Sequence, residues 1–331
     1  MTTQITIVGL GQIGASIGLA LAEQDQVFQR IGHDIHLEAA RRAQKMGAID
    51  KVAINLPSAV READLVILSV PADQLRETLE IIAQDLKENA VVMDTGPIKV
   101  SMSEWIKELL PDNRFYVGLV PSINPAYLYQ EEIGIDAAHA DLFQRGIMAI
   151  ITPPNTSSDA LQLASKLASL LGSDPLFVDP LEIDGLLAAT HALPQLLAVA
   201  LLNATVSQPG WREARKIAGR AYADVSAANL HGGMADGLGG MTLHNRDNVV
   251  RVLDRAIASL LSLREAIEAN DGEFLVRQLE SAQQGYAEWL KERLAANWAF
   301  EGMPESVSKS SGRVDFLSRL LGSGVKRKDR K

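Results

Sequence analysis

Three glycines near the start of the chain have the spacing of a phosphate-binding turn. They follow an apolar run and precede a helical pattern in "ITIVGLGQIGASIGLAL", residues 5–21. The first glycine of such a turn bends the chain, the second lets the backbone approach a pyrophosphate, and the third permits close packing of helix on strand. The N–H groups at the helix N-terminus then attract the phosphates. The predicted dinucleotide contacts are Gly9, Leu10, Gly11, Gln12, Ile13 and Gly14.

A carboxylate follows at the distance along the chain expected for ribose recognition. Asp34 ends the second predicted strand, in "IGHD", about twenty residues after Gly14. A carboxylate at that position accepts hydrogen bonds from both ribose hydroxyls and repels a 2′-phosphate, so the sequence favours NAD over NADP. Arg41 and Arg42 on the following helix weaken this preference, because a cation there attracts a 2′-phosphate.

The elements that must position these residues alternate between β-type and helical patterns. The predicted strands are "QITIVG", "RIGHD", "LVILSV", "AVVMDT", "FYVGLV" and "GIMAIITPP", and most are separated by segments with apolar residues at helical spacing. This alternation predicts an α/β fold, an N-terminal Rossmann domain with a doubly wound parallel sheet over residues 1–180.

Beyond about residue 180 the β-type pattern stops and the chain is predicted to be helical. Residues 181–300 form an all-α domain for substrate binding and dimerisation, and residues 301–331 form a mostly flexible basic tail. The segment "LEIDGLLAATHALPQLLAVALLNATV" is apolar nearly all round. A helix of that kind must be covered on every side, so the sequence predicts a homodimer.

Composition narrows the class of protein. The net charge of −9 argues against a nucleic-acid partner, and the absence of cysteine excludes disulfides, thiolate metal sites and a cysteine nucleophile. The chain enters a strand at once, which predicts no secretory signal. The longest apolar run is interrupted by Pro194 and Gln195 and is shorter than the roughly 20 residues that span a bilayer. We therefore expect a cytoplasmic enzyme or binding protein without a membrane segment.

The chain resembles the prephenate and arogenate dehydrogenases of tyrosine biosynthesis over roughly residues 5–270. The similarity runs through "GLGQIGASIGLAL", "DLVILSVP", "VVMDTGPIK", "GIDAAHADLFQRGIMAIITP", "EIDGLLAATHALPQLLAVAL" and "HNRDNVVRVLD". The resemblance implies a Rossmann domain followed by a helical dimerisation domain, and a carboxylated small-molecule substrate. It also adds cofactor contacts in the second and third of these stretches, at Ser69, Val70, Pro71 and Thr95.

The resemblance further implies oxidative decarboxylation of a cyclohexadienol, in which a histidine accepts the proton of the ring hydroxyl while hydride passes to the nicotinamide. The family's hydroxyl-orienting serine, catalytic histidine, two motif histidines and carboxylate-pairing arginine fall here on Pro97, Asn124, Ala192, Gln195 and Ala227. Asparagine does not accept a proton at neutral pH, so Asn124 at the catalytic position is no general base. Slow or absent prephenate oxidation is expected.

Two residues are candidates for replacing the lost chemistry. His191 lies one residue before Ala192, about 100° around the helix, and an imidazole titrates near neutrality. It is either an acid–base group facing the nicotinamide pocket or a packed histidine of the helical domain. Lys99, in "GPIK", either binds a substrate carboxylate or a developing oxyanion, or is a surface residue at the beginning of a helix.

Other polar residues have weaker claims. Arg215 and Arg220 are either a displaced anion contact or solvated charges, and Asp184 is interpreted as a helix cap or a supporting partner. The glycine-rich stretch "NLHGGMADGLGGMTLHN", residues 229–245, is predicted to be a flexible loop or lid. His231 and His244 lack a carboxylate at metal-ligand spacing, so no metal site is expected.

Three functions remain open from the sequence. The first is a dehydrogenase of the prephenate/arogenate type, acting through substituted residues or on a related carboxylated molecule. The second is an NAD-binding dimeric protein without dehydrogenase activity. The third is a β-hydroxyacid-type reductase with the same two-domain plan. The glycine turn is common to all three, so the substrate half of the site must separate them.

Overall fold

The computed structural model describes residues 3–25, 27–153, 156–228, 235–296 and 298. Its N-terminal half contains eight strands, which are β1 (Thr3–Val8), β2 (Phe28–His33), β3 (Lys51–Val52), β4 (Leu65–Leu68), β5 (Val91–Asp94), β6 (Phe115–Pro121), β7 (Ile147–Ile151) and β8 (Asp174–Val178). They form one sheet in the order β3-β2-β1-β4-β5-β6-β7-β8. The reversal of strand order beside β1 is the doubly wound arrangement that the sequence predicts.

The parallel sheet is confirmed for β1 to β6, whereas β7 and β8 run the opposite way. β7 pairs with β6 antiparallel, and β8 pairs with β7 parallel. The connection between β6 and β7 contains only two 3₁₀ turns, Pro125–Tyr127 and Gly134–Ala137. A parallel neighbour requires a crossover, usually a helix, on the face of the sheet. This connection stays at the carboxyl edge, so the chain returns antiparallel.

Six helices cover the two faces of the sheet: α1 (Gln12–Ala22), α2 (Leu37–Met46), α3 (Leu56–Val60), α4 (Leu75–Ile82), α5 (Lys99–Leu109) and α6 (Ser158–Leu170). Side chains alternate along each strand, so that Ile67 of β4 belongs to the core under α1 and α6, while Val66 and Leu68 belong to the core under α4 and α5. The central strands β4 and β5 are apolar in nearly every position because both of their faces are buried.

No strand occurs among the described residues beyond Val178. The helices are α7 (Pro180–Leu187), α8 (Leu193–Thr205), α9 (Trp211–Ala214), α10 (Arg220–Ala227), α11 (Ala235–His244), α12 (Arg246–Glu268) and α13 (Gly272–Ala295). A π-helical turn, Ala188–Ala192, joins α7 to α8. Ala188 and Ala192 pack into the core under α4 and α5, which fixes this turn against the N-terminal half.

The helix that contains Pro194 is longer than the apolar run predicted from the sequence. Helix is continuous over Pro180–Thr205, 26 residues with a mean hydropathy of 1.7 in its most apolar window. Pro194 removes one N–H from the interior of this helix, directly after the π-helical turn Ala188–Ala192. By length and composition alone this helix passes the test for a membrane span, as apolar core helices of soluble proteins also do. Only 22% of that window is buried within the chain.

The predicted glycine-rich loop is wrong for the part that the structure describes. Residues 235–244 form α11, and residues 229–234, with His231, lie outside the described residues. A Cβ added to Gly240 would come within 3.1 Å of the Asp73 backbone nitrogen. The absence of side chains thus lets α11 approach the turn that follows β4, and this packing compensates for the poor helix propensity of glycine.

Candidate active site

The three glycines of the turn after β1 meet three different steric demands. Gly9 has a φ of +88°, and a Cβ there would lie 2.4 Å from the carbonyl oxygen of Ser69. A Cβ on Gly14 would lie 2.0 Å from the carbonyl oxygen of Gly9, so this residue sets the close contact between α1 and β1. Gly11 has open space around its Cβ position. The turn therefore has the tight bend, the free backbone and the close helix packing of a pyrophosphate cradle.

Asp34 lies beside this turn at the end of β2. Its Oδ2 accepts a hydrogen bond from the Leu10 backbone N–H at 2.8 Å, and its Oδ1 accepts one from the His36 N–H at 2.8 Å. The carboxylate is thereby oriented across the turn while its remaining lone pairs stay available to ribose hydroxyls. Of the two neighbouring arginines, Arg42 is paired with Asp136, and Arg41 is exposed. The Arg42 contact reduces the positive charge open to a 2′-phosphate.

The other predicted cofactor contacts lie at the carboxyl ends of β4 and β5. Ser69, Val70 and Pro71 follow β4, and the built Cβ of Gly9 would meet both the first and the second of them. The Thr95 hydroxyl donates to Ser69 Oγ at 3.1 Å, and the Thr95 N–H donates to the Leu68 carbonyl at 2.9 Å. The structure thus brings the glycine turn and these residues to one crevice at the edge where ligands bind in open α/β sheets.

The interpretation of Lys99 as a cation facing a substrate, or as a surface residue, is wrong. Its side chain is fully buried, and Nζ donates to Asp94 Oδ1 at 2.7 Å. Asp94 also accepts hydrogen bonds from the Tyr116 hydroxyl at 2.5 Å and from the Gly96 N–H at 2.9 Å. Burial lowers the pKa of Lys99 and the Asp94 carboxylate opposes that shift, whereas both raise the pKa of Tyr116 well above its usual value. The Lys99 ammonium is thus paired with Asp94 inside the N-terminal domain.

Asp184 is a helix cap, one of the two roles that the sequence analysis gives it. It belongs to α7 but caps α5, because its Oδ1 and Oδ2 accept the N–H groups of Lys99 and Val100 at 2.7 and 3.0 Å. Asn245 donates to the Asp184 carbonyl at 2.6 Å. Burial raises the pKa of Asp184, and the two backbone donors oppose that shift. The hydrogen bonds of Asp184 to the start of α5 thus join the helical region to the N-terminal half.

Asn124 lies just past β6, and hydrogen bonds within the connection occupy its side chain. Oδ1 accepts the Ala126 N–H at 3.1 Å, which caps the Pro125–Tyr127 turn, and Nδ2 donates to the Asp141 carbonyl at 3.2 Å. Asn124 is buried. In this arrangement it fixes the backbone after β6, and its catalytic candidacy has no support from its contacts.

His191 lies on the π-helical turn, a local geometry that is frequent at functional sites. Its Nδ1 is 3.0 Å from the Thr190 hydroxyl, and its carbonyl accepts from Gln195 Nε2 at 2.8 Å. The side chain is exposed at the surface, yet nearby protein atoms desolvate the ring and lower the pKa of His191. The ring is therefore neutral at pH 7 and able to accept a proton.

The remaining substituted positions differ in exposure. Ala192 is buried, whereas Gln195 is partly exposed and its Oε1 is a buried acceptor without a hydrogen-bond partner among the described residues.

Arg215 and Arg220 are exposed on the helical region, as the alternative of solvated charges predicts. His244 packs edge-on against Trp105 at 4.9 Å between ring centroids. Across the described residues no group of three acidic or histidine side chains is arranged to hold a metal.

Asp94, Tyr116 and Asn245 are the residues that sequence reasoning missed. Asp94 had one visible signal, since it is the only charged residue at the end of the apolar run "AVVMD". A carboxylate in a strand buried on both faces needs partners, which here are the Lys99 ammonium and the Tyr116 hydroxyl. Nothing local in the sequence identifies Asn245 as the partner of Asp184.

Comparison with known proteins matches both halves of the chain to one family. Residues 17–174 match the model described as prephenate dehydrogenase, nucleotide-binding domain, and residues 179–281 match the model described as prephenate dehydrogenase, dimerization domain. The prephenate dehydrogenase of Bacillus subtilis (strain 168) is 28% identical over 330 residues, covering 98% of this chain and 86% of the relative. The cyclohexadienyl dehydrogenase of Zymomonas mobilis is 27% identical over 296 residues, covering 85% and 94%.

A solved structure has the same fold over most of both chains. The prephenate dehydrogenase from A. aeolicus in complex with hydroxyphenyl propionate and NAD+ superimposes with a TM-score of 0.76 at 23% identity, covering 87% of this chain and 98% of that one. The predicted order of a Rossmann domain followed by a helical domain is therefore confirmed as a fold.

Proposed function

The chain belongs to the prephenate dehydrogenase family, and on that premise we propose that it is an NAD-dependent oxidoreductase acting on a carboxylated small molecule. The observation that carries this proposal is the open cradle at Gly11, at the N-terminus of α1 and beside the oriented Asp34 carboxylate. A relative of the same fold holds NAD+ together with an aromatic carboxylate.

NAD, when bound, supplies the hydride acceptor. The backbone N–H groups at the start of α1 would hold the pyrophosphate, and Asp34 would accept the ribose hydroxyls. Ser69, Val70, Pro71 and Thr95 would line the crevice further along the carboxyl edge. A 2′-phosphate would approach the Asp34 carboxylate, so NAD is expected to bind more tightly than NADP.

We assign the proton-accepting role to His191. Asn124, at the family histidine's position, accepts no proton at neutral pH, and its hydrogen bonds are used to fix the chain after β6. Desolvation lowers the pKa of His191 below its usual value of about 6.5, which favours the neutral, proton-accepting form of the ring under physiological conditions. The unpartnered Gln195 Oε1, one helical turn away, offers a substrate an acceptor for a hydroxyl hydrogen.

The test is steady-state NADH formation with saturating NAD and either prephenate or a panel of carboxylated metabolites. Positioned general-base catalysis contributes roughly 10²–10⁴ in rate. Prephenate turnover is therefore expected to be at least a hundredfold below an enzyme median of about 10 per second. With the preferred substrate, the rate should be constant above about pH 6.5 and fall in acid as the base becomes protonated. His191→Ala should remove this acid limb and most of the rate.

Prephenate turnover near the median value would contradict the altered substrate, and turnover that survives His191→Ala would contradict the assigned base. NAD binding without NADH formation from any compound would favour the second candidate, an NAD-binding protein without dehydrogenase activity. The observation that favours that candidate is the structural use of Asn124.

The proposal extends to assembly and location. A match to a dimerization domain over residues 179–281 and the weak burial of the Pro180–Thr205 helix both support a homodimer. A cytoplasmic location and the absence of a membrane segment are proposed with it, since a second copy of the helical domain would cover the apolar helix.

A further inference from the structure

Arg293, in the last turn of α13, is a buried cation that no acidic side chain neutralises among the described residues. Its side chain is embedded so deeply that the residue is only 9% exposed. Nη2 donates to Ser122 Oγ at 3.0 Å and to the Ile123 carbonyl, both neutral acceptors. Nη1 is buried and has no hydrogen-bond partner in the part of the chain that the structure describes. Burial lowers the pKa of Arg293, although an arginine remains protonated in proteins.

A second unsatisfied donor lies next to it. The indole Nε1 of Trp298 is also buried without a partner, and the guanidinium carbon of Arg293 stands 5.6 Å from the centre of the Trp298 ring. Two neighbouring buried N–H donors without an acceptor each carry a desolvation cost that a bound acceptor would remove. An oxygen-rich anion satisfies both donors at once.

Lys99 is a buried cation that does have a counterion. Its side chain is fully buried, and its ammonium pairs with the Asp94 carboxylate at 2.7 Å. A buried charge without such a partner is costly. Among the described residues, Arg293 thus lacks the carboxylate partner that Lys99 has, and a bound anion would supply it.

The position of Arg293 suits a ligand of the main crevice. Ser122 and Ile123 directly follow β6, whose carboxyl end lies beside the ends of β5 and β4, where the proposed cofactor contacts are. Asn124, at the family histidine's position, is the next residue. α13 thus places a cation against the residues that follow the carboxyl end of β6, while the family's own carboxylate-pairing arginine falls on Ala227.

We propose that Arg293 and Trp298 form a carboxylate-binding site that supplies the substrate's anion contact in this chain. This rests on the proposed function for its choice of ligand. The N–H groups of Arg293 Nη1 would donate charge-assisted hydrogen bonds to a carboxylate, and the indole N–H of Trp298 would add a further donor. Both unpartnered atoms are shielded from solvent.

The test is calorimetric titration of the full-length, NAD-saturated protein with three probes: hydroxyphenyl propionate, malonate and inorganic phosphate. The wild type should bind at least one of the carboxylates, and more tightly than phosphate. Arg293→Met should weaken that binding at least tenfold, and Trp298→Phe, which keeps the ring but loses the N–H, should weaken it less. Arg145→Met is the matched control, because Arg145 also bonds the end of α13, at the Leu294 carbonyl (2.7 Å), but is exposed.

A stability measurement separates ligand binding from a structural role. Removing an uncompensated buried charge should leave the thermal midpoint of the ligand-free protein unchanged or raised in Arg293→Met. A marked loss of stability, or failure of this variant to fold, would show that Arg293 only ties α13 to the sheet and would overturn the proposal. So would wild-type protein that binds neither carboxylate, an Arg293→Met variant that binds as tightly as wild type, or stronger binding of phosphate.

The two proposals fail separately. NADH formation with an unchanged KM in Arg293→Met would remove the carboxylate site and leave the oxidoreductase. Carboxylate binding that depends on Arg293, in a protein that forms no NADH from any compound, would remove the oxidoreductase and leave the site.

Discussion

At the scale of single residues, the three glycines of the turn after β1 differ in whether the fold itself leaves room for a side chain. Gly9 and Gly14 contact backbone carbonyls so closely that a methyl group has no room, and both contacts exist without any ligand. Gly11 has an ordinary φ of −76° and nothing near its Cβ position. The free protein therefore has no steric reason for a glycine there. A molecule that approaches the backbone would supply such a reason, and in our proposal that molecule is the cofactor.

Substitutions at Gly11 and Gly14 should consequently affect different properties, namely NAD binding for Gly11 and stability for Gly14. Gly11→Val should leave the free energy of unfolding within about 1 kcal/mol of wild type, because the side chain enters open space. It should abolish measurable NAD binding, since the side chain occupies the place of the pyrophosphate. Gly14→Ala should destabilise the protein by about 1–3 kcal/mol or more, as overpacking against backbone does. Chemical denaturation and calorimetry with NAD and NADP measure both quantities.

Normal NAD affinity in Gly11→Val would contradict the site, and unchanged stability in Gly14→Ala would contradict the close contact of α1 with β1. The matched pair excludes general damage as the explanation, because each variant serves as the control for the other. In the wild type, NADP binding as tight as that of NAD would contradict the role of Asp34.

Residue types and spacing predicted the glycine turn and Asp34 because a nucleotide-binding turn is local in sequence. The environment of Lys99, by contrast, was not predictable from the local sequence. Its type and position suit anion binding, but its state depends on Asp94 and Tyr116, which reach it from neighbouring strands. The position of the family histidine led to Asn124, and only the contacts with Ala126 and Asp141 reveal its structural use.

At the scale of elements, α5 depends on a cap from the other half of the chain. Its own N-cap residue, Ile98, offers no side-chain acceptor, and Asp184 of α7 accepts the first two N–H groups instead. The start of α5 lies next to the crevice, so the orientation of the helical region and the local structure there are linked. A carboxylate at a helix N-terminus is also favoured by the helix dipole.

Asp184→Ala should therefore cost more than the loss of an ordinary cap. The buried N–H of Lys99 and the partly buried N–H of Val100 would be left without acceptors, and a fully buried one costs about 1–3 kcal/mol when unsatisfied. The control is Asp179→Ala, which removes the exposed cap of α7 itself, an Asp179 Oδ1 to Leu181 N–H contact of 2.8 Å, and should cost about 1 kcal/mol. Urea denaturation compares the two. Equal losses would show that the contact between α7 and α5 contributes no more than a surface cap.

Element types were predicted well where periodicity decides them and poorly where tertiary contacts do. Five of the six strands of the parallel sheet, β1, β2, β4, β5 and β6, were predicted from their β-type runs, whereas the two-residue β3 was missed. The direction of β7 depends on a connection that stays at one sheet edge. The glycines of α11 favour a loop by propensity, but close packing on the turn at Asp73 overrides that preference.

At the scale of the whole molecule, the helical half exposes more apolar surface than one chain covers. Large exposed apolar side chains recur along α12 and α13, among them Ile257, Leu260, Leu261, Val276 and Leu279. The Pro180–Thr205 helix is likewise only partly covered. Contiguous apolar surface of this kind marks an interface. The order of the two halves was predictable from where the β-type pattern ends, whereas the faces of α12 and α13 that lack a partner appear only in three dimensions.

The last prediction concerns that interface. Sedimentation at micromolar concentration should give a dimer for the wild type. The double variant Leu260→Glu/Leu279→Glu places charges where the side chains are each 58% exposed in the single chain, and should weaken association by roughly a hundredfold or more. Each charge would be buried without a partner in the dimer but solvated in the monomer, so the monomer's secondary structure by circular dichroism should not change.

The control is Ile54→Glu, which changes a side chain that is 79% exposed, but on the N-terminal half. It adds a charge without touching the helical surface, so its association should equal that of the wild type. A monomeric wild type would contradict the homodimer, and a dimeric double variant would place the interface on another face. If Ile54→Glu also dissociated the dimer, net charge rather than the apolar surface of α12 and α13 would control assembly.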